Sequence, residues 1–384
     1  MKRYQGSYLS YFLMYMFYYL SMALFSGLIS VYLMDKGYKA TEVSFVVSCS
    51  FILSMITQPF IGHLSDQFDK RKVNALLLMI STIFGFVFIY VNNIYGIAIV
   101  YSIVLALVNG VNPVIERMAT VSKHAYGLIR IWGTIGYATG SQLSGVIYNL
   151  ISPKAMYIFF CLSMIICVIG ILGTQDAKVV KTSVNERTSL RNMLINKKFF
   201  FYLIIACLFY GITNVNSLYL LAMYQENGLT VSQATTVIFA GTMMELPIIL
   251  TSRYYMNRIS NKVLLIIVFV LLSLQLFTYS ILSNVMIKII MTFLTKSVCT
   301  MAFIMINMKV IATIIDANYQ MSALAIVSMF KSFISIVFQT ISGKLIDFYS
   351  YQVFYSFLFV CALIGLVCCI FYKIPSGNEY HLFD

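Results

Sequence analysis

Residues 62–72 read GHLSDQFDKRK, and this short polar segment separates two apolar runs at 41–64 and 73–91. A membrane-spanning helix needs roughly 20 predominantly apolar residues, so each flanking run is long enough to span. The basic residues of the segment favour the cytoplasmic side of a membrane. Gly62 allows close helix approach, and the Asp66 carboxylate can cap a neighbouring helix or pair with a base. The stretch therefore predicts a cytoplasmic loop between two membrane helices.

Apolar runs of this kind recur along all 384 residues, of which 60% are hydrophobic and only 10% charged. A soluble domain carries about 25% charged residues, because its surface faces water. The composition therefore predicts an all-α membrane protein with twelve transmembrane helices, and it argues against a soluble protein or an enzyme. The predicted spans lie near 8–34, 41–64, 73–91, 94–122, 126–152, 154–173, 199–224, 231–255, 262–283, 285–314, 319–346 and 351–373.

Two internal matches predict that these helices form two related six-helix bundles. Residues 144–149 read SGVIYN at the end of the fifth span, and residues 342–347 read SGKLID at the end of the eleventh. DQFDKR at 66–71 and NRISNK at 257–262 likewise follow the second and eighth spans. Parallel repeats of this kind are typical of secondary transporters. The first bundle, a central cytoplasmic loop and the second bundle are predicted at residues 1–173, 174–198 and 199–384.

The Lys and Arg residues concentrate at one set of span ends, which includes the N-terminus, the 62–72 loop and the central loop. Because such residues favour the cytoplasmic face, both termini and the central loop are predicted to be cytoplasmic, in the cell membrane. This bias explains the net charge of +13 without a nucleic-acid partner. The eight cysteines and three histidines show no metal-ligand spacing, so neither a metal nor another cofactor is expected.

Six candidate functional residues are charged and fall inside predicted spans, where a charge is costly and usually functional. They are Glu116, Arg117, Arg130, Glu245, Lys296 and Lys331. Glu116 and Arg130 flank one short loop, so antiparallel helices can bring them together. A carboxylate beside a guanidinium can bind sugar hydroxyls through charge-assisted hydrogen bonds, and a structural ion pair is the alternative. Arg117 is expected to face elsewhere.

Several short motifs occur in a characteristic order from about residue 11 to about residue 372. They read QPFIG at 58–62, PVIE at 113–116, YGLIRIWGTIGY at 126–137, MEL at 244–246, MNRI at 256–259 and FK at 330–331. Together with the 62–72 segment, which has the spacing of the major facilitator signature, they resemble the oligosaccharide:proton symporters, the lactose-permease-like family. That signature has a glycine where Asp69 stands here.

The resemblance implies roles for five positions. Glu116 and Arg130 match the family's sugar-binding carboxylate and arginine, and Tyr137 matches an aromatic ring that stacks on the sugar. Glu245 matches the glutamate that joins sugar binding to proton coupling. Lys331 matches a lysine that is ion-paired in the family.

Other positions depart from the family pattern. Gly211 and Asn214 stand where the resemblance implies aspartates, and Gln275 replaces an arginine. Lys296 lies nearest to the family's histidine and glutamate in the tenth span, and Ile248 replaces an amide that binds galactosides. Lactose itself is therefore not expected to be the cargo, and the coupling machinery is expected to differ.

These observations predict a monomeric, proton-linked symporter in the lipid bilayer that imports a sugar, an oligosaccharide or a related small polar solute through a cavity between the bundles. Glu245 would take up and release a proton as it moves near and away from Lys296 or Lys331, and the sequence does not choose between them. The residues expected to bind the solute are Glu116, Arg130, Tyr137, Asn214 and Lys331. Proton coupling is expected to involve Glu245 and Lys296. Gating is expected to involve Gly62, Asp66 and Arg71.

Three alternatives remain open from the sequence. The run that contains Arg130, Trp132 and Gly133 also resembles transporters of aromatic acids or nucleosides. That resemblance implies such a cargo, with Arg130 and Lys331 as counter-charges. An exporter of hydrophobic compounds would depend little on Arg130. A membrane sensor would bind a ligand without moving it, although the central loop is too short for a signalling domain.

Overall fold

A computed structural model describes residues 4–175, 196–256, 258–315 and 320–374. Most of the predicted central loop, at 176–195, lies outside the described residues. The helices are α1 Tyr8–Ser26, α2 Ile29–Asp35, α3 Ala40–Gln67, α4 Lys70–Phe88, α5 Ile94–Thr120, α6 Tyr126–Leu150, α7 Pro153–Leu172, α8 Lys197–Glu226, α9 Val231–Met243, α10 Glu245–Leu250, α11 Ser252–Met256, α12 Asn261–Ile281, α13 Val285–Met291, α14 Ser297–Ile314, α15 Gln320–Phe348 and α16 Tyr351–Phe371.

Within the described part of the chain, 11 helical segments are long and apolar enough to cross a membrane. The remaining long helix, α6, is outside this set because Arg130 and many small or polar residues lower its hydropathy. With α6 these segments correspond to the twelve predicted spans. The prediction of an all-helical, multi-pass membrane protein is thereby confirmed.

Three spans that the sequence predicts as single helices are interrupted. The first breaks between α1 and α2 at Gly27 and Leu28. The eighth breaks between α9 and α10 at Met244, where Pro247 cannot donate a hydrogen bond to the carbonyl four residues earlier. The tenth contains a π-helical turn, Thr292–Lys296, between α13 and α14. Single-turn π segments often occur at functional sites.

The described helices group into two compact units, Met1–Val180 with Leu218–Met243, and Lys181–Ser217 with Met244–Asp384. The last nine residues of α8, Leu218–Glu226, and all of α9 thus belong with the first unit. Within it, the Tyr219 hydroxyl donates to the Ala40 carbonyl over 2.7 Å, and Gln142 donates to Thr236 over 3.0 Å. The division into two six-helix bundles at 173 and 199 stays a prediction.

Close helix packing in the first unit depends on small residues. A Cβ added at Gly136 would lie 2.2 Å from the Met16 carbonyl oxygen, and one at Gly140 would lie 2.6 Å from that of Leu20. Glycine at these positions therefore lets α6 approach the backbone of α1, as small residues do between membrane helices. This contact sets α6 and its Arg130 against the aromatic side chains of α1.

The second unit is held by aromatic packing and by one buried cation. Phe209 and Phe303 stack with their ring centroids 3.8 Å apart. Lys309 is fully buried, and its ammonium group donates to the carbonyls of Met256 and, over 2.9 Å, of Ile259. Lys309 thereby satisfies carbonyl groups at the end of α11 that have no helical partner.

Candidate functional site

A polar cluster lies in the first unit where α5 ends and α6 begins. The two helices are joined by residues 121–125, so Glu116 near the end of α5 lies beside Tyr126 at the start of α6. The Glu116 carboxylate accepts hydrogen bonds from the Tyr19 hydroxyl over 2.9 Å and from the Tyr126 hydroxyl over 2.7 Å. Asn112 donates in turn to the Tyr19 hydroxyl over 3.4 Å.

Arg130 also lies beside the Tyr19 ring. Its guanidinium carbon is 5.6 Å from the ring centroid, and one terminal nitrogen donates to the Thr134 hydroxyl over 3.4 Å. No ion pair joins Arg130 to Glu116, although both residues are described and their charges interact. The carboxylate is held by hydroxyl groups instead, which leaves guanidinium donors for another partner.

The remaining first-unit candidates take different positions. Tyr137 follows Arg130 by seven residues, which places it on the same face of α6, about 10 Å along the helix. Trp132 points away from Arg130, because its ring packs on Phe12 at 4.5 Å and its indole N–H donates to the Tyr8 hydroxyl over 2.7 Å. The feature that favoured an aromatic acid or nucleoside is therefore engaged elsewhere. Arg117 is exposed, as expected.

Sequence reasoning missed Tyr19 and Tyr126, the two residues that hold Glu116. The available signal was a row of tyrosines in the first span, at Tyr8, Tyr11, Tyr15, Tyr18 and Tyr19. Spacings of three and four residues place several of these on one helix face. Tyr15 and Tyr18 are fully buried, whereas Tyr19 is only partly so and reaches the cluster.

A second polar cluster lies in the second unit. Glu245 begins α10 directly after the break at Met244, and Lys296 ends the π-helical turn. Their charges interact, whereas no carboxylate interacts with Lys331 among the described residues. The helix interruptions in the eighth and tenth spans thus both fall at this carboxylate and ammonium.

Lys331 and Asn214 lie together in the same unit but have different partners. The Lys331 ammonium is 4.8 Å from the centroid of the Tyr210 ring. Asn214 donates to the Ser335 hydroxyl over 2.6 Å, and that hydroxyl donates to the Lys331 carbonyl over 2.7 Å. Asn214 therefore joins α8 to α15.

The expected gating residues flank the short connection at residues 68–69: Gly62 and Asp66 lie in the last turns of α3, and Arg71 lies in the first turn of α4. Asp69 caps α4, and its carboxylate accepts a hydrogen bond from the Arg71 backbone over 3.0 Å and pairs with the Arg71 guanidinium at 3.2 Å. Arg71 also donates to the Thr174 carbonyl over 3.3 Å. Partial burial raises the pKa of Asp69, but the hydrogen bonds from Arg71 outweigh this and hold the pKa below its ordinary value.

Two expectations about this loop change with the structure. Asp69 has a φ of −59°, so the turn does not need the glycine of the family signature. Gly62 is not at a close helix contact, because a Cβ added there would meet nothing within 4 Å. The Asp66 side chain lies outside the described part of the structure. No group of three or more His, Cys, Asp or Glu side chains in the described ranges could hold a metal ion.

Comparisons with known proteins agree on one family. The chain is 24% identical over 252 residues to YwbF, an uncharacterized transporter of Bacillus subtilis (strain 168), which is 64% of this chain and 63% of that protein. It is 30% identical over 122 residues to the lactose permease of Klebsiella oxytoca, 29% of each chain. The matched segments therefore span less than two thirds of either relative.

The fold matches a solved structure over nearly its whole length. The crystal structure of a mutant of the nucleoside transporter NupG superimposes with a TM-score of 0.81 at 16% identity, covering 94% of this chain and 99% of that chain. The model of the MFS_1 like family matches residues 8–357. The chain therefore belongs to the MFS_1 like family.

Proposed function

We propose that this protein is a proton-coupled secondary transporter that imports a sugar, an oligosaccharide or a related small polar solute. The arrangement of Glu116 and Arg130 around Tyr19 carries the proposal. A carboxylate held in place by hydroxyl groups, beside a guanidinium with unused donors, offers both acceptors and donors to a polyhydroxy solute. The relative that is named a lactose permease supports the sugar class.

Glu245 and Lys296 are the proposed coupling pair. A glutamate next to an ammonium favours its charged form, and one withdrawn from it into an apolar environment favours its protonated form. Motion that separates the two groups would therefore let Glu245 bind a proton, and motion that reunites them would release it. The breaks in the helices that carry both residues supply places where the backbone can move.

The orientation of the proposed transporter follows the charge bias, with both termini in the cytoplasm, in a bacterial cell membrane. A monomer is sufficient, because each proposed group belongs to one chain. Asp69 and Arg71, which tie the 62–72 loop to the end of α7, are proposed to gate the cytoplasmic side. Gly62 and Asp66, in the last turns of α3, belong to the same proposed gate.

The test uses purified protein in liposomes that contain a pH-sensitive dye. Neutral sugars, nucleosides and aromatic acids are added outside, and lumenal acidification and solute uptake are recorded for the wild type and Glu245→Gln. Glu226→Gln, an exposed carboxylate at the end of α8, is the matched control. We expect one sugar class to acidify the lumen, Glu245→Gln to abolish acidification but retain solute exchange, and the control to behave as wild type.

Other outcomes distinguish the alternatives. Solute entry without acidification in the wild type would mean a uniporter and would remove the coupling role of Glu245. Binding without flux would indicate a sensor. Acidification with a nucleoside or aromatic acid only would change the cargo class.

A further inference from the structure

Lys331 is a deep cation for which the proposed mechanism has no use. In the described spans, Glu116 lies near Arg130 and Glu245 lies near Lys296, so each of these carboxylates has a cation nearby. Lys331 is surrounded by protein, is half-buried, and has no carboxylate among its electrostatic partners. Among the described residues, Lys331 is thus a cation without a carboxylate partner.

The protein groups around Lys331 do not compensate this charge. The Tyr210 ring centroid lies 4.8 Å from the Lys331 ammonium. A cation–π contact contributes much less than removing an ammonium from water costs, which is several kcal/mol. Ser335 donates its hydroxyl to the Lys331 backbone carbonyl, so that hydroxyl serves the helix and not the ammonium.

Position 211, next to Tyr210 on α8, is closed to an acidic side chain. Gly211 follows Tyr210 on α8, and a Cβ added to it would lie 2.9 Å from the Phe338 ring. Phe338 is on α15, two turns after Lys331, and is buried. The Phe338 ring therefore occupies the space that an acidic side chain at position 211 would need.

Lys331 is nevertheless not sealed inside the protein. Lys331 keeps part of its surface exposed, whereas Lys309 on α14 is fully buried and consumes its donors on two backbone carbonyls. Lys309, a buried lysine with a structural role in the same unit, therefore differs from Lys331 in both exposure and hydrogen bonding. Among the described residues no carboxylate supplies a compensating anion at Lys331, so a bound solute can supply it.

We propose that Lys331 is the counter-ion for a carboxylate of the transported solute, so that the cargo is a sugar acid and not a neutral sugar. This inference rests on the proposed function and narrows its substrate class. The Tyr210 ring would pack against the apolar face of the same solute.

The experiment compares matched pairs of probes that differ only in charge. Proteoliposomes take up glucose against glucuronate, galactose against galacturonate, and the methyl β-glucoside against the methyl β-glucuronide, in the wild type, Lys331→Gln and Lys331→Arg. Lys344→Gln, an exposed lysine on the same helix, is the control. We expect the wild type to favour the acid of a pair about tenfold or more, as for one charged hydrogen bond.

Lys331→Gln should lose this preference while it keeps the uptake of the neutral partner, and Lys331→Arg should retain most of it. If Lys331→Gln does not fold, the preference of the wild type and that of Lys331→Arg still test whether the cargo carries the negative charge. Uptake of neutral sugars alone, or an acid preference that survives in Lys331→Gln, would overturn the inference but not the proposed function. No uptake of any probe would overturn both.

A free inorganic anion is the other source of negative charge. If chloride occupies the site, neutral-sugar uptake by the wild type should fall when chloride is replaced by sulfate, and Lys331→Gln should abolish that dependence. This result would overturn the assignment of the charge to the cargo. Uptake of the acid probe that does not depend on chloride supports it.

Discussion

At the scale of single residues, two tyrosine hydroxyl groups determine how the Glu116 carboxylate of the first unit is hydrogen-bonded. Tyr19 and Tyr126 satisfy both oxygens of the Glu116 carboxylate, so the glutamate does not need Arg130 as an ion-pair partner. A solute that displaces or joins these hydroxyls can use both charges. The same cluster without the tyrosines would collapse into an ion pair, in which neither group is available.

Removal of one hydroxyl tests this account. Tyr19→Phe keeps the ring beside Arg130 but leaves one carboxylate oxygen of Glu116 without its donor. A hydrogen bond to a charged group contributes about 1.5–3 kcal/mol, so solute affinity should fall about tenfold or more. Tyr18→Phe is the matched control, because that hydroxyl donates to the Val108 carbonyl. Equal exchange affinities in the two variants would contradict the role of Tyr19.

The guanidinium of Arg130 gives a second residue-level prediction. Arg130→Gln removes the donors proposed to bind the solute, and Arg130→Lys replaces a planar fork by a point charge. We expect sugar exchange to fall about a hundredfold in the first and only partly to recover in the second, by the same energies per charged hydrogen bond. Thr134→Val, which loses only the acceptor at 3.4 Å, should retain exchange. Full activity of Arg130→Gln would favour an exporter of hydrophobic compounds.

At the scale of helices, two glycines of α6 differ in how closely a neighbouring helix approaches them. Within the first unit, a Cβ added at Gly145 on α6 would lie 1.9 Å from the Thr235 hydroxyl oxygen on α9. Gly127, near the start of the same helix, has nothing within 4 Å of an added Cβ. The two glycines therefore lie on the same helix, but only Gly145 is closely packed against a neighbour.

Alanine at the two positions should have opposite effects. Gly145→Ala forces α6 and α9 apart, and overpacking of this kind costs about 1–3 kcal/mol. Gly127→Ala meets no neighbour and should stabilise the helix by about 0.5–1 kcal/mol. The check is thermal unfolding of both variants in detergent. A melting temperature for Gly145→Ala at or above that of Gly127→Ala would refute the close contact.

The start of α4 gives a pH-dependent prediction. The pKa of Asp69 is lower in the folded protein than in the unfolded chain, so its ion pair stabilises the fold above the unfolded value of about 3.9 and ceases to do so as pH falls through the folded value. Asp69→Asn keeps the helix cap and loses only the ion pair, which is worth about 0.2–1 kcal/mol at a surface.

The melting temperature of Asp69→Asn should therefore lie slightly below that of the wild type at pH 7, and the gap should close below about pH 4. Asp69→Ala also removes the cap, which costs about 1 kcal/mol, so part of its deficit should persist at low pH. A gap for Asp69→Asn that widens as pH falls would contradict the assigned direction.

At the scale of the whole molecule, the charge bias predicts one orientation in the membrane. Tyr90 follows α4 and Lys123 follows α5, and both are exposed. In a variant whose native cysteines are replaced, Tyr90→Cys should react with an impermeant maleimide on intact cells. Lys123→Cys should react only after permeabilisation. The reverse pattern would place both termini outside the cytoplasm.

The sequence by itself determined the number of spans, their approximate ends and the family. It could do so because a segment in lipid must satisfy its own backbone hydrogen bonds and present apolar side chains, and both demands are local. Glu116, Arg130 and Glu245 were also recognisable, because a charge inside an apolar run stands out and short motifs surround it.

Only the tertiary structure decided which of these groups meet. Tyr19 lies 97 residues from Glu116, and no local pattern connects them. The sequence left Lys296 and Lys331 equivalent as partners of Glu245, whereas the π-helical turn and packing place only Lys296 within its electrostatic reach. Phe338 over Gly211 likewise depends on how α8 and α15 pack. Long-range contacts are set by side-chain packing between helices, which the apolar pattern of each helix alone does not specify.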